Sequence, residues 1–343
     1  MFKKNSFFWA FLFSFLIIIL IIFSTDAKNG AKEGWALCEG IIIPSLLPIM
    51  ILTNIIIKSK ARYTFDFTFG FLFEKVFKLP KCCAGAVILG LVGGFPAGAI
   101  LTSNLFEKGL ITTSQAQRIM SFNFSSGVAF TITAVGTIYF KSTKTGLLLY
   151  LTGIISSLLI CIVSALFSKD TNIKNKSTVS SLGIVDAMIE AVETTIKSIL
   201  VMCAYIILFS SLIKICKIPA GLLPLLEITN GLFAQSKSLS LPMYSMYLSF
   251  GGFCIHSQIL NELKKMNIRY WTFLISRIAA AGISYAITKL YFELFPQSEL
   301  VFSNISTNIA PKMVQVNQIL SLIMVLGCAV AVFDIENKKL KLH

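Results

Sequence analysis

Residues 81–108 read KCCAGAVILGLVGGFPAGAILTSNLFEK, an apolar segment that does not have the pattern of a simple membrane-spanning helix. It is apolar enough for a membrane, but five glycines and one proline interrupt it: Gly85, Gly90, Gly93, Gly94, Pro96 and Gly98. Glycine and proline weaken or break the hydrogen-bond ladder of a helix. Close packing between helices is a sufficient reason for Gly85 and Gly90. A proline two residues after a double glycine instead predicts a broken or re-entrant hairpin.

Apolar runs of membrane-spanning length surround this broken stretch. They cover residues 7–23, 35–57, 119–140, 146–168, 188–213, 271–294 and 313–333. A bilayer core about 30 Å thick takes roughly 20 apolar residues per helix. In lipid the backbone must satisfy its own hydrogen bonds, so a spanning segment forms either a helix or a strand of a closed barrel. These runs lack the alternation of apolar and polar residues that barrel strands show. With 55% hydrophobic and only 13% charged residues, the chain is predicted to be an all-α polytopic membrane protein.

The net charge of +14 is distributed as in a membrane protein. The cations form short clusters between apolar runs: Lys3 and Lys4, Lys58 to Arg62, Lys169 to Lys176, Lys264 to Arg269, and Lys338 to Lys341. Such clusters set topology beside anionic lipid headgroups. Because no basic stripe carries interleaved base-stacking aromatics, nucleic acid is not expected as a partner. The lipid bilayer is the expected partner, and a homo-oligomer is left open.

Motifs for enzymes, metals and cofactors are absent from the sequence. The eight cysteines include the vicinal pair Cys82-Cys83 but no C-x-x-C, and there are two histidines, so no metal site and no cofactor are expected. The absence of a Walker A motif, H-E-x-x-H and G-x-S-x-G disfavours ATP-driven transport by this chain and hydrolysis. The sequence contains neither an arginine ladder nor a TVGYG filter, so these signals of an ion channel are missing. The protein is therefore not expected to be an enzyme.

A polar interruption divides the chain nearly in half. We predict an N-terminal transmembrane helix over 1–30, a first half over 31–168, a polar loop over 169–182, a second half over 183–295, and a C-terminal transmembrane helix with a basic tail over 296–343. The first apolar run is longer than that of a usual signal peptide, and no convincing small-residue cleavage site follows it. We therefore expect this helix to stay uncleaved, with a cytoplasmic N-terminus.

The two halves share a short repeat. Residues 93–95 read GGF, as do residues 251–253 at an offset of 158, and Arg118 and Arg277 follow at an offset of 159. The second GGF lies in a stretch, 218–262, that is also rich in glycine and proline. Interrupted segments at corresponding places in two halves indicate a transport site. The repeat predicts two related, inverted halves, each with a broken or re-entrant helical hairpin, and a site where the two tips meet.

The first half supplies a hairpin tip and a polar run as candidate binding residues. The tip residues are Gly93, Gly94, Phe95, Pro96 and Gly98. Free backbone N–H groups at a half-helix N-terminus favour an anion; the alternative is a packing turn. The run SFNFSSG at 121–127 is interpreted as the opening of a helix that ends near residue 140. Its candidates, Asn123 and Ser125, line a polar cavity or cap that helix at the interface.

The second half supplies the candidate acid. Glu227 follows an apolar run, with Thr229 and Asn230 close behind, and an ionisable residue at membrane depth is a functional candidate. Glu227 would carry a coupling proton; the alternative is an interfacial carboxylate at a helix end. Further candidates are Gly251, Gly252, His256 and Gln258. His256 either titrates near neutrality or, as is commoner for a lone histidine, packs through hydrogen bonds.

Two arginines occupy matching places in the halves. Arg118 and Arg277 would neutralise an anionic solute or pair with a carboxylate. The alternative is an anchor on the cytoplasmic side, which suits Arg118 better because Arg277 has apolar neighbours on both sides. Arg277 is therefore included among the candidate binding residues.

The order of these motifs resembles the YlbJ-type sporulation integral membrane proteins. The resemblance covers about residues 30–295 and rests on Pro44 and Pro48, Leu79-Pro80, GGFPAGA at 93–99, KGLIT at 108–112, SFN at 121–123, LEITNG at 226–231, GGF at 251–253 with Gln258, and Arg277. It implies a nucleoside-recognition Gate fold, related to concentrative nucleoside transporters and to the gate regions of ferrous-iron transporters. It also implies a place in the outer forespore membrane and delivery of dipicolinic acid toward the spore.

We therefore expect a transporter of a small anionic metabolite, which the resemblance specifies as dipicolinate, with its site at the hairpin tips. The first alternative is a nucleoside or metal-ion transporter of the same fold. Such carriers bind their substrate through acidic residues, and Glu227 is the one acidic candidate in the predicted site. The second is a non-transporting scaffold for assembly of the spore envelope. A scaffold needs no polar groups at mid-membrane depth.

Overall fold

The structure is a computed structural model that describes residues 11, 14–168, 182–216, 220–233 and 239–296. In chain order the helices are α1 Ser24–Lys58, α2 Arg62–Lys75, α3 Cys83–Gly93, α4 Ala97–Glu107, α5 Thr113–Phe122, α6 Ala129–Tyr139, α7 Thr143–Leu166, α8 Ile184–Cys216, α9 Leu223–Leu226, α10 Ile228–Phe233, α11 Leu241–Phe250, α12 Gly252–Lys265 and α13 Tyr270–Leu294. Ser59 and Leu182 form a single parallel bridge. Of the polar loop predicted at 169–182, all but Leu182 lies outside the described residues, as does the C-terminal apolar run at 313–333.

Four helices of the described ranges are long and apolar enough to cross a membrane: α1, α7, α8 and α13. Large apolar side chains stand exposed along them, as in Val163 on α7 and Ile275 on α13, while polar side chains such as Ser156 and Ser284 are buried between helices. This inside-out distribution suits lipid as the solvent. It confirms the prediction of an all-α polytopic membrane protein.

Helix α1 extends beyond the predicted span at 35–57. Residues 14–22 are also helical, and Phe23 continues the ladder, since its N–H donates to Ile19 O and its C=O accepts from Ala27 N, both at 2.9 Å. The boundary predicted at residue 30 therefore falls inside a continuous helix, because the polar residues there include no proline that would stop it.

The predicted hairpin at 81–108 is present in the first half. Helices α3 and α4 have 11 residues each and pack side by side. A helix of that length spans about 16 Å, roughly half of a bilayer core. The chain turns at Gly94, whose φ of 76° is a left-handed conformation that glycine adopts without strain. Pro96 directly precedes α4, where its missing N–H costs no helical hydrogen bond.

The structure differs from the prediction over 119–140, which forms two helices rather than one span. Helix α5 ends at Phe122 and α6 begins at Ala129, with Gly127 in a left-handed conformation (φ 69°) between them. This break lies against the first hairpin: a Cβ at Gly90 would lie 2.5 Å from Asn123 Oδ1. The polar and glycine residues at 121–127, which the sequence predicts to begin one helix, therefore form the break between α5 and α6, and this break packs against the first hairpin.

The second half breaks in another way. Helices α11 and α12 join at Gly251 (φ 93°) and Gly252 (φ 74°). Helix α11 packs along α13, whereas α12 packs against α4 and α8. Over 241–265, which is described throughout, the two arms diverge instead of packing side by side as α3 and α4 do. The second element is thus a broken helix, and its second arm meets the second arm of the first hairpin.

Candidate functional site

Glu227 lies between the short helices α9 and α10 and is fully buried. Its carboxylate accepts hydrogen bonds from the backbone N–H groups of Thr229, at 2.9 Å, and Asn230, at 2.6 Å. A helix leaves these N–H groups unpaired in its first turn, so the side chain caps α10. Gly231 allows the tight return of the chain, because a Cβ there would run into the backbone of Pro224. The site thus contains a buried carboxylate at a helix end.

A narrow cavity of about 20 Å³, called here the Glu227 cavity, lies beside this carboxylate. The second half lines it with Glu227, Thr229 and Gln258, and the first half with the hairpin-tip residues Gly93 and Phe95. A volume of this size holds about one water molecule. In this conformation the cavity is closed to a metabolite, and the hairpin tip forms part of its wall.

Other residues line the Glu227 cavity without having been singled out from the sequence. Ser126, whose Oγ lies 2.6 Å from Thr131 Oγ1, belongs to the polar run at 121–127, so that run was a usable signal. The apolar walls come from residues such as Ile42, Leu46, Phe130, Met202, Ile206 and Ile255. No sequence signal distinguishes these, because similar side chains occur throughout the chain.

Asn123 and Ser125 serve the packing between the first hairpin and the α5–α6 break. Asn123 is buried; its Nδ2 donates to Gly98 O at 3.3 Å, while its Oδ1 finds no partner among the described residues. Ser125 Oγ accepts from the backbone N–H of Gly127 at 3.3 Å. Neither side chain lines the Glu227 cavity. The same holds for Gly94, Pro96 and Gly98, which shape the turn.

His256 is held in an aromatic cluster away from the Glu227 cavity. Its Nε2 lies 2.9 Å from Phe250 O, and its Nδ1 lies 3.0 Å from the Tyr270 hydroxyl. The ring packs nearly edge-on against Phe124 and Phe273. Since both ring nitrogens are engaged, the geometry favours the hydrogen-bonded packing role over a lining role.

Asn230, Gly251 and Gly252 also act through local structure. Asn230 Nδ2 donates to Ser210 Oγ and so ties α10 to α8. A Cβ at Gly251 would lie 2.7 Å from the ring of Phe124, and one at Gly252 would lie 3.1 Å from a backbone oxygen of the α9 turn. These three residues pack around the elements that form the Glu227 cavity, and none of them lines the cavity itself.

Arg277 is buried but engaged with the backbone. Its Nη1 donates to Phe124 O at 2.8 Å and its Nη2 donates to Ser121 O, both in the region where α5 ends. The guanidinium also stands 5.2 Å from the Phe124 ring centroid and 5.6 Å from that of Phe273. Arg118 likewise donates to backbone carbonyls, those between α2 and α3. These contacts favour a role for Arg277 in holding the α5–α6 break, and its binding to a solute stays a prediction.

Comparisons with known proteins agree with the motif resemblance. The chain is similar to the sporulation integral membrane protein YlbJ of Bacillus subtilis (strain 168): the two are 23% identical over an alignment of 366 positions, which covers 89% of this chain and 88% of that protein. The predicted relationship to YlbJ-type proteins is confirmed by this similarity. No family model matches the chain, and no solved structure matches it.

Proposed function

We propose that this protein is a sporulation membrane protein that transports a small anionic metabolite, with dipicolinate as the candidate substrate, across the outer forespore membrane. The observation that carries the proposal is the Glu227 cavity, where polar residues of the second half face the hairpin tip of the first. Polar groups buried between broken helices are typical of transport sites. The description of the relative as a sporulation integral membrane protein supports the cellular setting.

The charge of Glu227 sets a condition on the mechanism. A carboxylate repels an anionic solute, whereas a protonated carboxyl group donates a hydrogen bond to it. The proposal therefore has Glu227 take up a proton as the solute enters and release it as the solute leaves. A neutral carboxyl group also accepts more weakly from the N–H groups of Thr229 and Asn230 than a carboxylate does. Solute binding is thereby coupled to the cap of α10.

The size of the Glu227 cavity requires a moving part. A site for a small metabolite takes about 300 Å³ or more, far above the present 20 Å³. The first hairpin is the candidate for this movement, since Gly93 and Phe95 close one side of the cavity. Withdrawal of the tip would widen the cavity and admit the solute, so the conformation described here corresponds to a closed state.

The alternatives fit the site less well. A metal-ion substrate favours several carboxylate, thiolate or imidazole ligands around one point, and the described residues contain no such group of three. A nucleoside carrier needs partners for the ribose hydroxyls, and Glu227 is the one acidic residue among the described residues that line this cavity. A scaffold has no use for a buried carboxylate, which is costly in lipid.

Uptake of labelled dipicolinate into proteoliposomes tests the proposal, with a panel of nucleosides run in parallel. Saturable dipicolinate uptake that is lost in Glu227→Ala and kept in Glu193→Gln is the expected result. Glu193 is the matched control because it is an exposed carboxylate on α8 that lines no part of the site. Nucleoside uptake in place of dipicolinate would overturn the substrate. Absence of both from a monodisperse, correctly inserted protein would overturn transport and favour the scaffold.

A further inference from the structure

A second and larger cavity, of about 350 Å³, opens where α1 ends and α2 begins. Three cations line it: Lys58 at the end of α1, Arg62 at the start of α2, and Lys108 directly after α4. We call this cavity the basic vestibule. Apolar side chains, among them Leu101 and Leu105, form other parts of its wall. The vestibule and the Glu227 cavity share no lining residue among those that the structure describes.

The cations of the basic vestibule are only partly neutralised. Lys58 Nζ pairs with Glu190 Oε2 at 3.1 Å, and Arg62 Nε lies 3.6 Å from Asp66 Oδ2. Lys108 has no ion pair with any residue that the structure describes. Among the residues that the structure describes, three positive charges therefore face two negative ones, which leaves an excess of one positive charge at the vestibule.

Arg62 is poorly satisfied by the described part of the protein. The residue is 8% exposed, and its Nε is buried without a hydrogen bond. Asp66, at 3.6 Å, is beyond good hydrogen-bond distance, and the Tyr63 ring, 5.7 Å away, offers only a cation–π contact. A buried guanidinium with unfilled donors is costly. A carboxylate in the cavity would offset the charge of the guanidinium that lines it, and its two oxygens match the planar fork of arginine.

Lys108 is affected by the other positive charges of the basic vestibule. Burial, followed by the positive charges of Arg62 and Lys58, lowers the pKa of the Lys108 ammonium, and Glu190 opposes this shift. A bound anion would reverse the effect. Asn104, one helical turn earlier on α4, adds an exposed amide to the same cavity. The groups on this wall are thus donors arranged for a negatively charged ligand.

The basic vestibule leads toward the hairpin tip. An adjoining cavity of about 60 Å³ shares Lys58 and Asn104 with it and reaches Asn54 and Ala97. Ala97 is the first residue of α4, about 10 Å along the helix from Asn104. It follows closely on Phe95, which lines the Glu227 cavity. The two adjoining cavities together therefore extend from the vestibule to the first residue of α4, behind the hairpin tip.

We propose that the basic vestibule is the entry site of the transporter, where a carboxylate of the solute binds Arg62 and Lys108 before the hairpin tip opens. This inference rests on the proposed function and specifies the solute as a small carboxylate dianion with an apolar face. One carboxylate pairs with Arg62, a second with Lys108 and Asn104, and the apolar part of the solute lies against Leu101 and Leu105. A rival occupant with similar chemistry is the phosphate of an anionic lipid headgroup.

Binding and uptake of labelled dipicolinate by the full-length protein, reconstituted in neutral phosphatidylcholine, test this site. Arg62→Gln and Lys108→Gln should each raise the dissociation constant and the KM about tenfold, as expected for loss of one charge-assisted contact. The maximal rate at saturating solute should stay close to that of the unmodified protein. Lys264→Gln is the control, since Lys264 is an exposed cation outside the vestibule. Lys108 is exposed, so its variant reports on binding even where Arg62→Gln lowers stability.

The outcomes separate this inference from the proposed function. Uptake that needs Glu227 but has an unchanged KM in Lys108→Gln would contradict the entry site at the vestibule and would still support the proposed transport function. Binding that weakens in both vestibule variants, without any uptake, would support the vestibule and overturn transport. No binding in neutral bilayers, with an effect of Lys108→Gln that appears only with phosphatidylglycerol, would overturn the entry site in favour of a lipid headgroup.

Discussion

Gly94 and Gly127 face each other with no room for a side chain on either residue. A Cβ on Gly94 would lie 2.8 Å from Gly127 Cα, and a Cβ on Gly127 would lie 2.7 Å from Gly94 Cα. This contact joins the turn of the first hairpin to the α5–α6 break. Their neighbours Gly93 and Ser126 line the Glu227 cavity, so the contact lies directly beside that cavity.

Gly127→Ala is expected to destabilise the protein and to impair transport. Its φ of 69° disfavours any residue with a Cβ by about 1 to 2 kcal/mol, and the contact with Gly94 adds a clash with backbone. Thermal unfolding and dipicolinate uptake measure the two effects. Gly109→Ala is the matched control, because Gly109 has a φ of 67° but a Cβ there would meet no described atom within 4 Å. Equal stability of the two variants would contradict a role for the contact.

The hairpin was predictable because its signal is local. Gly93, Gly94 and Pro96 follow one another within four residues, and each acts on the backbone at its own position. The partner of the hairpin was less accessible. Gly127 belongs to the polar run at 121–127, but one sequence does not reveal that its backbone touches Gly94, 33 residues away.

The roles of the buried polar residues depended on distant partners. Glu227 is predicted at membrane depth because it follows an apolar run, and the structure buries it fully, with its hydrogen-bond donors only two and three positions later. The sequence predicts solute binding by Arg277, but it does not reveal the backbone acceptors of the guanidinium, which lie more than 150 residues away at Ser121 and Phe124. A guanidinium in an apolar sequence must find oxygen atoms, but sequence cannot tell a solute carboxylate from a backbone carbonyl.

Glu227→Gln is expected to keep solute exchange and lose accumulation. Glutamine imitates the protonated carboxyl group by donating a hydrogen bond without a charge, but it cannot release a proton. Counterflow of labelled dipicolinate should therefore persist, whereas uptake driven by a pH gradient should vanish. Glu193→Gln should behave like the unmodified protein in both assays. Gradient-driven accumulation by Glu227→Gln would rule out Glu227 as the proton carrier.

Arg277→Gln is expected to lower stability rather than affinity. Loss of the guanidinium removes the donors to the buried carbonyl of Phe124, at a cost of about 1 to 3 kcal/mol, and to the partly buried carbonyl of Ser121. Arg277→Lys keeps the charge but not the planar fork, so its stability should fall between those of Arg277→Gln and the unmodified protein. Thermal unfolding ranks the three proteins, and the KM of the folded fraction should not change. A stable Arg277→Gln protein with a raised KM would show that the arginine touches the solute after all.

Gln258→Ala is expected to weaken solute binding without loss of stability. In the described part of the chain the amide makes one weak contact, from Nε2 to Cys254 Sγ at 3.8 Å, so its donors and its oxygen stay available on the Glu227 cavity. Loss of one hydrogen bond to a charged solute should raise the KM about tenfold, while the unfolding temperature stays close to that of the unmodified protein. Ser257→Ala is the control on the same helix, because the Ser257 hydroxyl donates to Phe253 O at 2.9 Å and lines no part of the cavity. Equal KM values for the two variants would remove Gln258 from the site and confine the polar contacts of the second half to Glu227 and Thr229.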